Sequence, residues 1–297
     1  MNQEGKDLYE AQFRQYLQAS ISRAQMFKAT AAGLVAASVP AVALAAGSGT
    51  GRAPYLEFPF YPQVKSGSYT PEAITDIINV AVTAEYLAVT VLTAALNNAS
   101  QLQLSGLILQ ATQAALTEEL AHLQVLRDVL GAKPLTTTFT VPNPKILTDQ
   151  TTFFSTLEVA ENIFVAAYMT AVREFAELGQ PTLAKIAYQT GATEAEHRVI
   201  VRAALVLGAA HDTSKIPPNN KAYETDLLLY VRDAATILTN LGFIGGSGLA
   251  AAYPGDAAAI AAAGPMYVAV IQKTPNNASS TVTVTGPADL TGERASG

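Results

Sequence analysis

Apolar residues recur at intervals of three and four positions along four long segments of the chain, which is the period of an amphipathic α-helix. Polar residues occupy the other positions, so each segment predicts a helix with one buried face. The four predicted helices extend over about 70–98, 101–130, 151–178 and 181–207.

Local signals indicate where these helices begin and end. Thr70 and Pro71 are typical of an N-cap and of a first helical residue, and Gly131 is expected to end the second helix. Gly179 and Pro181 predict a tight turn between the third and fourth helices. The connection between the second and third helices has about twenty residues, far more than the usual 2–8, and is long enough to cross the bundle. The pattern predicts an all-α four-helix bundle with one long crossover.

Two short motifs place ionisable residues, glutamate and histidine, on or beside the apolar faces of the predicted helices. The chain has three histidines, and two of them end a Glu-x-x-His motif, which directs both side chains to one side of a helix. A further glutamate lies in the helix before each motif, 34 residues ahead of the first and 33 ahead of the second. This order of residues is the ligand set of a di-metal site in a four-helix bundle. The six candidate metal ligands are Glu85, Glu119, His122, Glu161, Glu194 and His197.

The surroundings of these residues support the same interpretation. Glu85 lies in the middle of an apolar stripe, where a carboxylate is costly unless it is paired or binds a metal ion. Residues 84–89 match residues 160–165 in position, so the ligands repeat together with part of their apolar context. Two related helical hairpins would therefore each contribute one Glu and one Glu-x-x-His motif to a shared centre.

Composition narrows the chemistry of such a site. The chain has 297 residues, 49% of them apolar, which is enough for one large buried core. Its net charge of −6 provides no basic surface, so no nucleic-acid partner is expected. The absence of cysteine excludes disulfides, zinc–thiolate sites, iron–sulfur clusters and thiol nucleophiles. Carboxylate and imidazole ligands suit two ions of iron or manganese, and zinc is also compatible.

Residues 1–46 have the features of an export signal. A cationic stretch over residues 22–28 precedes an apolar run over residues 29–46, and a small-residue cleavage site ends at Ala45. The cationic stretch resembles a twin-arginine signal, although Ala24 occupies the position of the second arginine. The protein is predicted to be exported to the periplasm, the cell surface or the exterior. The alternative is a retained apolar helix that contacts a membrane or another subunit.

The other segments complete the domain organisation. A fifth helix is predicted over residues 222–241, and the Gly/Ala-rich stretch after it is expected to be irregular. Residues 280–285 alternate as a strand does, and a single strand would need a partner, such as a neighbouring subunit. His211 is expected to lie on the surface. The predicted parts are an export signal or apolar helix at 1–46, a linker at 47–69, the bundle at 70–210 and a C-terminal extension at 211–297.

The bundle segment resembles the ferritin-like superfamily, and more narrowly the exported ferritin-like domain proteins that include the desiccation-related proteins of plants and bacteria. The resemblance rests on Ala-Glu-Tyr-Leu around Glu85, Val-Ala-Ala-Tyr ending at Tyr168, the two Glu-x-x-His motifs and the preceding signal. It covers about residues 70–210 and implies a ferritin-like bundle that holds two metal ions through the six ligands. It implies no single activity. The neighbouring carboxylates of Glu118, Glu158 and Glu196 are expected to support the ligands or to be solvated.

Two classes of function fit these features. Two ions that share carboxylates can bind O₂ or peroxide between them, so iron predicts ferroxidase or peroxide-consuming chemistry and manganese predicts catalase-like chemistry, linked to stress. The second class is an exported structural subunit that assembles through residues 1–46 and the C-terminal extension, with a vestigial or merely stabilising metal site. A homo-oligomer is expected. Binding of a small apolar ligand is a third class, to which no residue points.

Overall fold

The structure is a computed structural model, and it describes residues 70–221, 224 and 228–273. The predictions for the export segment 1–46, the linker 47–69 and the strand 280–285 concern residues outside these ranges.

Four long helices form the core of the described chain. Helices α1 and α2 form one hairpin, helices α3 and α4 form a second, and the connection between α2 and α3 crosses from one to the other. The predicted all-α fold, a four-helix bundle with one long crossover, is confirmed. The helices are α1 (Ile74–Asn97), α2 (Gly106–Gln124), α3 (Gln150–Glu177) and α4 (Pro181–Leu207).

Helices α3 and α4 begin within one residue of their predicted starts. The Asp149 carboxylate caps α3 by accepting a hydrogen bond from the backbone N–H of Thr152 at 2.7 Å. Pro181 occupies the first turn of α4 and follows Gly179, whose φ of +72° is a conformation that glycine adopts without a side-chain clash. These two helices therefore start and end within one residue of their predicted bounds.

Helix α1 begins later than Thr70 and Pro71 predicted. Its N-cap is Ala73, which makes no side-chain cap bond. The residue before it, Glu72, takes part in tertiary contacts instead: its N–H donates to Glu174 Oε1 at 3.0 Å, and its carboxylate accepts from the N–H of Arg232 at 3.1 Å. Contacts with distant residues thus hold this segment extended and override the local capping signal.

Helix α2 begins later than predicted, whereas its C-terminal end agrees with the prediction. Residues 101–105 are not helical, because the side-chain amide of Gln150 donates to the carbonyl oxygens of Leu102 and Gln103, each at 3.1 Å. At the other end a π-helical turn, Val125–Val129, extends the helix. Gly131 follows with a φ of +69°, as expected of the residue that ends a helix.

The C-terminal extension wraps around the bundle. Helix α5 (Arg232–Asn240) packs on α1 and α3, α6 (Asp256–Ala263) packs on α1 and α2, and α7 (Pro265–Lys273) packs on α2. Strand β2 (Leu249–Ala252) pairs antiparallel with β1 (Thr138–Val141), which lies in the crossover. The stretch predicted as irregular therefore contains a strand and two helices that cover the first hairpin.

The fifth helix is shorter than predicted. The prediction covered residues 222–241, but α5 has 9 residues, and among the described residues 224 and 228–231 are not helical. The backbone N–H of Val231 donates to Glu174 Oε2 at 3.3 Å, and that of Arg232 donates to Glu72. These carboxylates satisfy the first free amides of the helix and so favour its start at this point.

Helix α1 occupies the centre of the described fold. Among the described residues it is the one helix long and apolar enough to pass a membrane-span criterion, and 78% of its most apolar window is buried inside the protein. Core helices of globular domains pass the same test. The packing of α2, α5 and α6 around α1 accounts for its apolar composition.

A charged contact joins the extension to the end of α2. The guanidinium of Arg127, in the π-helical turn, donates to both carboxylate oxygens of Asp256 at 2.9 Å. Gln124 Nε2 donates to Asp256 Oδ2 at 3.3 Å, and the Tyr253 hydroxyl donates to Oδ1 of the same carboxylate. The Tyr253 ring meets Tyr86 of α1 edge to face, with centroids 4.7 Å apart. Hydrogen bonds from Arg127 in particular hold the pKa of Asp256 below its usual range.

We expect Asp256→Ala to lower the free energy of unfolding by about 1–2 kcal/mol, because one carboxylate accepts charge-assisted hydrogen bonds from three side chains. This corresponds to a fall in thermal midpoint of about 2–8 °C, measurable by circular dichroism. Asp128→Ala is the matched control: Asp128 also contacts Arg127, but it is 54% exposed and should contribute little. Equal effects of the two variants would contradict the prediction.

Candidate metal centre

The six candidate ligands converge in the core of the bundle. They form two overlapping groups of four residues, and within each group the ligand atoms all lie within 4.8 Å of one another. Five of the six side chains are at most 2% exposed. The sixth, His122, is 14% exposed. The structure thus brings together every residue that the sequence proposed for this site, and these carboxylate and histidine groups could hold metal ions. That all six bind metal stays a prediction.

The two groups share the glutamates of the Glu-x-x-His motifs. Glu119 and Glu194 belong to both groups. One group is completed by Glu85 and His122, and the other by the equivalent residues of the second hairpin, Glu161 and His197. Each helix of the bundle therefore contributes, and the arrangement follows the repeat in the sequence.

Both histidines direct the Nδ1 atom towards the shared carboxylates. His122 Nδ1 lies 3.2 Å from Glu194 Oε1 and 3.4 Å from Glu119 Oε2. His197 Nδ1 lies 3.0 Å from Glu119 Oε1 and 3.2 Å from Glu194 Oε2. The two rings face each other across this pair of glutamates, with centroids 6.3 Å apart.

The centre contains buried carboxylate oxygens without hydrogen-bond partners among the described residues. The Glu119 and Glu194 atoms of this set lie 3.0 and 3.2 Å from an imidazole Nδ1, but not in the orientation of a hydrogen bond. A buried carboxylate oxygen that accepts no hydrogen bond is unfavourable, and cations placed among these atoms would satisfy them. The donor set therefore fits two divalent ions. The four oxygens are Glu85 Oε2, Glu119 Oε1, Glu161 Oε2 and Glu194 Oε1.

Protons are held in this centre when no cation neutralises it. Burial, and then the charge of Glu119, raise the pKa of the Glu85 carboxyl to about 8. Burial, and then the charge of Glu194, raise the pKa of Glu161 well above its usual range. Burial alone would lower the pKa of His122 and His197, but the surrounding carboxylates outweigh it and raise the pKa of both well above the usual value. Metal ions would displace these protons.

The metal-free protein should therefore lose stability as the pH rises from 6 to 8. A carboxyl whose pKa rises from 4.5 to about 8 on folding stabilises the folded state fully below pH 4.5. That contribution is lost as the pH approaches 8, by up to about 1.4 kcal/mol per pH unit for one proton. The histidines act in the same direction. Thermal unfolding in the presence of a chelator measures the slope.

Glu85→Gln is the matched variant for this pH dependence, because glutamine imitates the protonated carboxyl at every pH. Its thermal midpoint should fall less steeply between pH 6 and 8 than that of the unmodified protein. A midpoint that rises over this interval in the unmodified, metal-free protein would refute the assignment of protons to the centre.

Glu118 acts on the centre through His197. Its Oε2 atom accepts a hydrogen bond from His197 Nε2 at 2.8 Å. This bond fixes the ring tautomer in which Nδ1 is free to bind a metal ion. The sequence shows that Glu118 is next to a candidate ligand. Its contact with His197 on α4, however, depends on how the helices pack.

Tyr168 is a residue of the centre that reasoning from the ligand motifs missed. Its hydroxyl donates to Glu85 Oε1, and the side chain is buried. The available signal was its position 7 residues after Glu161, which is two turns along the same face of α3.

The other polar residues near the motifs lie away from the centre. Glu158 pairs with Arg202 at 3.2 Å and with Lys215 at 2.8 Å. Arg198 is buried and forms an ion pair with Glu224. Glu196 is exposed. The third histidine, His211, is exposed as well and takes no part in either group.

Comparison with protein families agrees with this geometry. Residues 73–207 match the family model of the ferritin-like domain. The match begins at the N-cap of α1 and ends at the last residue of α4, so it contains the four bundle helices and the six candidate ligands. No curated protein and no solved structure matches the chain. The match supports a ferritin-like bundle over these residues, while the narrower resemblance to desiccation-related proteins stays a prediction.

Proposed function

We propose that the protein is an exported di-metal carboxylate protein that oxidises Fe(II), or consumes peroxide, as part of protection against stress. The observation that carries the proposal is the pair of overlapping four-residue groups that share Glu119 and Glu194. A mononuclear or purely structural site would not need two complete ligand groups with two carboxylates in common. Iron is the first candidate metal and manganese the second, because the donor set is rich in carboxylates.

The ligands divide into shared and terminal positions. Glu119 and Glu194 would help to hold both ions, since each carboxylate faces both histidines. Glu85 with His122, and Glu161 with His197, would complete the two ends. These residues would hold two redox-active ions, which would supply the electrons that reduce O₂ or peroxide.

The protein surroundings prepare the site for such a pair of ions. The buried glutamates lie in apolar parts of the bundle, which keeps bulk water away and strengthens electrostatic contacts. Tyr168 holds one oxygen of Glu85, and Glu118 holds the ring of His197. These contacts restrict the ligands to orientations that suit metal binding.

Metal content and turnover test the proposal directly. Protein purified from its native source should contain close to two ions of iron or manganese per chain by elemental analysis. The iron-loaded protein should oxidise added Fe(II) with O₂, or consume hydrogen peroxide, faster than buffer does. A protein that is isolated with full stability but without metal, and that shows neither activity, would favour the structural subunit instead.

Export is a separate part of the proposal, supported by the composition of residues 1–46. The intact mass of the native protein tests it. A mature chain that starts near Ala46 would support release of a soluble exported protein. A chain that retains Met1 would contradict cleavage and favour a subunit held at a membrane or in an assembly by this segment.

A further inference from the structure

The two hairpins repeat the metal ligands but not the side chains that hold those ligands. Glu118 directly precedes Glu119 and accepts a hydrogen bond from His197 Nε2 at 2.8 Å. The equivalent residue before Glu194 is Thr193. Its hydroxyl donates within α4, to the carbonyl oxygen of Gln189 at 3.4 Å, and provides no carboxylate for the other histidine.

The terminal glutamates are also held differently. The Tyr168 hydroxyl donates to Glu85 and withdraws electron density from that carboxylate. The position equivalent to Tyr168 in the first hairpin is Leu92, which has no hydroxyl to offer to Glu161. Each of the two glutamates keeps one buried oxygen, Oε2, without a hydrogen bond among the described residues, so the difference between them is the tyrosine that holds Glu85 Oε1.

Solvent exposure also differs between the two halves of the centre, and the half that has the Glu118 contact is the more buried one. The His197 side chain is 1% exposed, whereas that of His122 is 14% exposed. A ligand that water reaches is easier to protonate or to detach from a metal ion. A buried imidazole whose far nitrogen donates to a carboxylate is oriented and more basic, and loss of such a partner typically weakens metal binding 10–100-fold.

We propose that the two metal positions are inequivalent: the position of Glu161 and His197 binds the first ion tightly, and the position of Glu85 and His122 binds a second, exchangeable ion. Glu118 is the positioning residue that creates the difference. This inference rests on the proposed di-metal function and adds an order of filling to it. The exchangeable position is the one through which ions enter and leave the centre.

Titration of the metal-free, full-length protein with Co(II) under anaerobic conditions tests the order. Calorimetry and the visible absorption of bound Co(II) should resolve two steps, with dissociation constants that differ about 10–100-fold. His122→Ala should retain the first step and its spectrum, and His197→Ala should lose it. Circular dichroism melting of each variant shows whether the fold is intact.

Three further variants separate positioning from general effects of charge. Glu118→Ala should weaken the first step about 10–100-fold and bring it close to the second. Glu118→Gln, whose amide oxygen still accepts from Nε2, should recover part of this loss. Glu196→Ala removes an exposed carboxylate on α4 and should leave both steps unchanged. Thr193→Glu should tighten the second step, because it supplies the missing partner for His122.

The outcomes distinguish this inference from the function on which it rests. Two ions of equal affinity in the unmodified protein, or a first step that survives His197→Ala and is lost in His122→Ala, would overturn the order while leaving the di-metal centre in place. Unchanged affinities in Glu118→Ala would overturn the role of that residue. Absence of Co(II) binding would overturn the proposed function and the order together.

Discussion

Replacement of both shared glutamates, Glu119→Ala with Glu194→Ala, is expected to abolish metal binding by the bundle and to reduce Fe(II) oxidation to the rate in buffer. Each of these residues belongs to both ligand groups, so the double variant leaves each position with one terminal glutamate and one histidine. Two ligands do not hold a divalent ion tightly in competition with water. A single substitution should weaken both ions, because the carboxylates are shared.

Metal stoichiometry and O₂ consumption by the loaded protein measure this effect. The matched control is Glu177→Ala with Glu196→Ala, which removes two exposed carboxylates, one from α3 and one from α4, that take no part in the centre. A second double variant, Glu119→Gln with Glu194→Gln, retains the side-chain volume. It therefore separates the loss of the carboxylates from the effect of a cavity in the core. Rates of Fe(II) oxidation that are equal in the double variant and the unmodified protein would exclude catalysis at this centre.

The candidate ligands could be found from the sequence because their spacing is local. A Glu-x-x-His motif places two side chains on one side of a helix wherever that helix packs, so Glu119 with His122 and Glu194 with His197 were determined by helical geometry. The apolar neighbours of Glu85 and Glu161 then indicated the side that faces the core. The bounds of α3 and α4 were equally local, because Asp149 and Pro181 act within their own first turns.

Features that depend on contacts between distant segments could not be found in the same way. Gln150 stops α2 from starting at residue 101, and Glu174 sets the start of α5, across 57 residues of chain. Strand β1 has 4 residues and forms because β2 pairs with it. The contact of Glu118 with His197 spans 79 residues. No periodicity or motif in the sequence predicts these contacts, because each of them forms only when the bundle packs.

Metal loading is expected to raise the thermal midpoint strongly, and more at pH 8 than at pH 6. At a free metal concentration 1,000 times the dissociation constant, binding stabilises the folded state by about 4 kcal/mol. For a domain of this size that is a rise of about 8–16 °C. The two ions would also contact the four buried carboxylate oxygens that accept no hydrogen bond among the described residues.

The pH dependence of this rise identifies where the ions bind. Protons on Glu85, Glu161 and the two histidines compete with metal, and their raised pKa values make that competition stronger at pH 6 than at pH 8. Stability without metal should therefore fall with rising pH while the gain from metal grows. Differential scanning calorimetry with and without Mn(II) measures both trends. A gain that is independent of pH, or that persists in Glu119→Ala with Glu194→Ala, would place the ions on surface carboxylates and not in the core, because exposed acids carry no proton to be displaced at either pH.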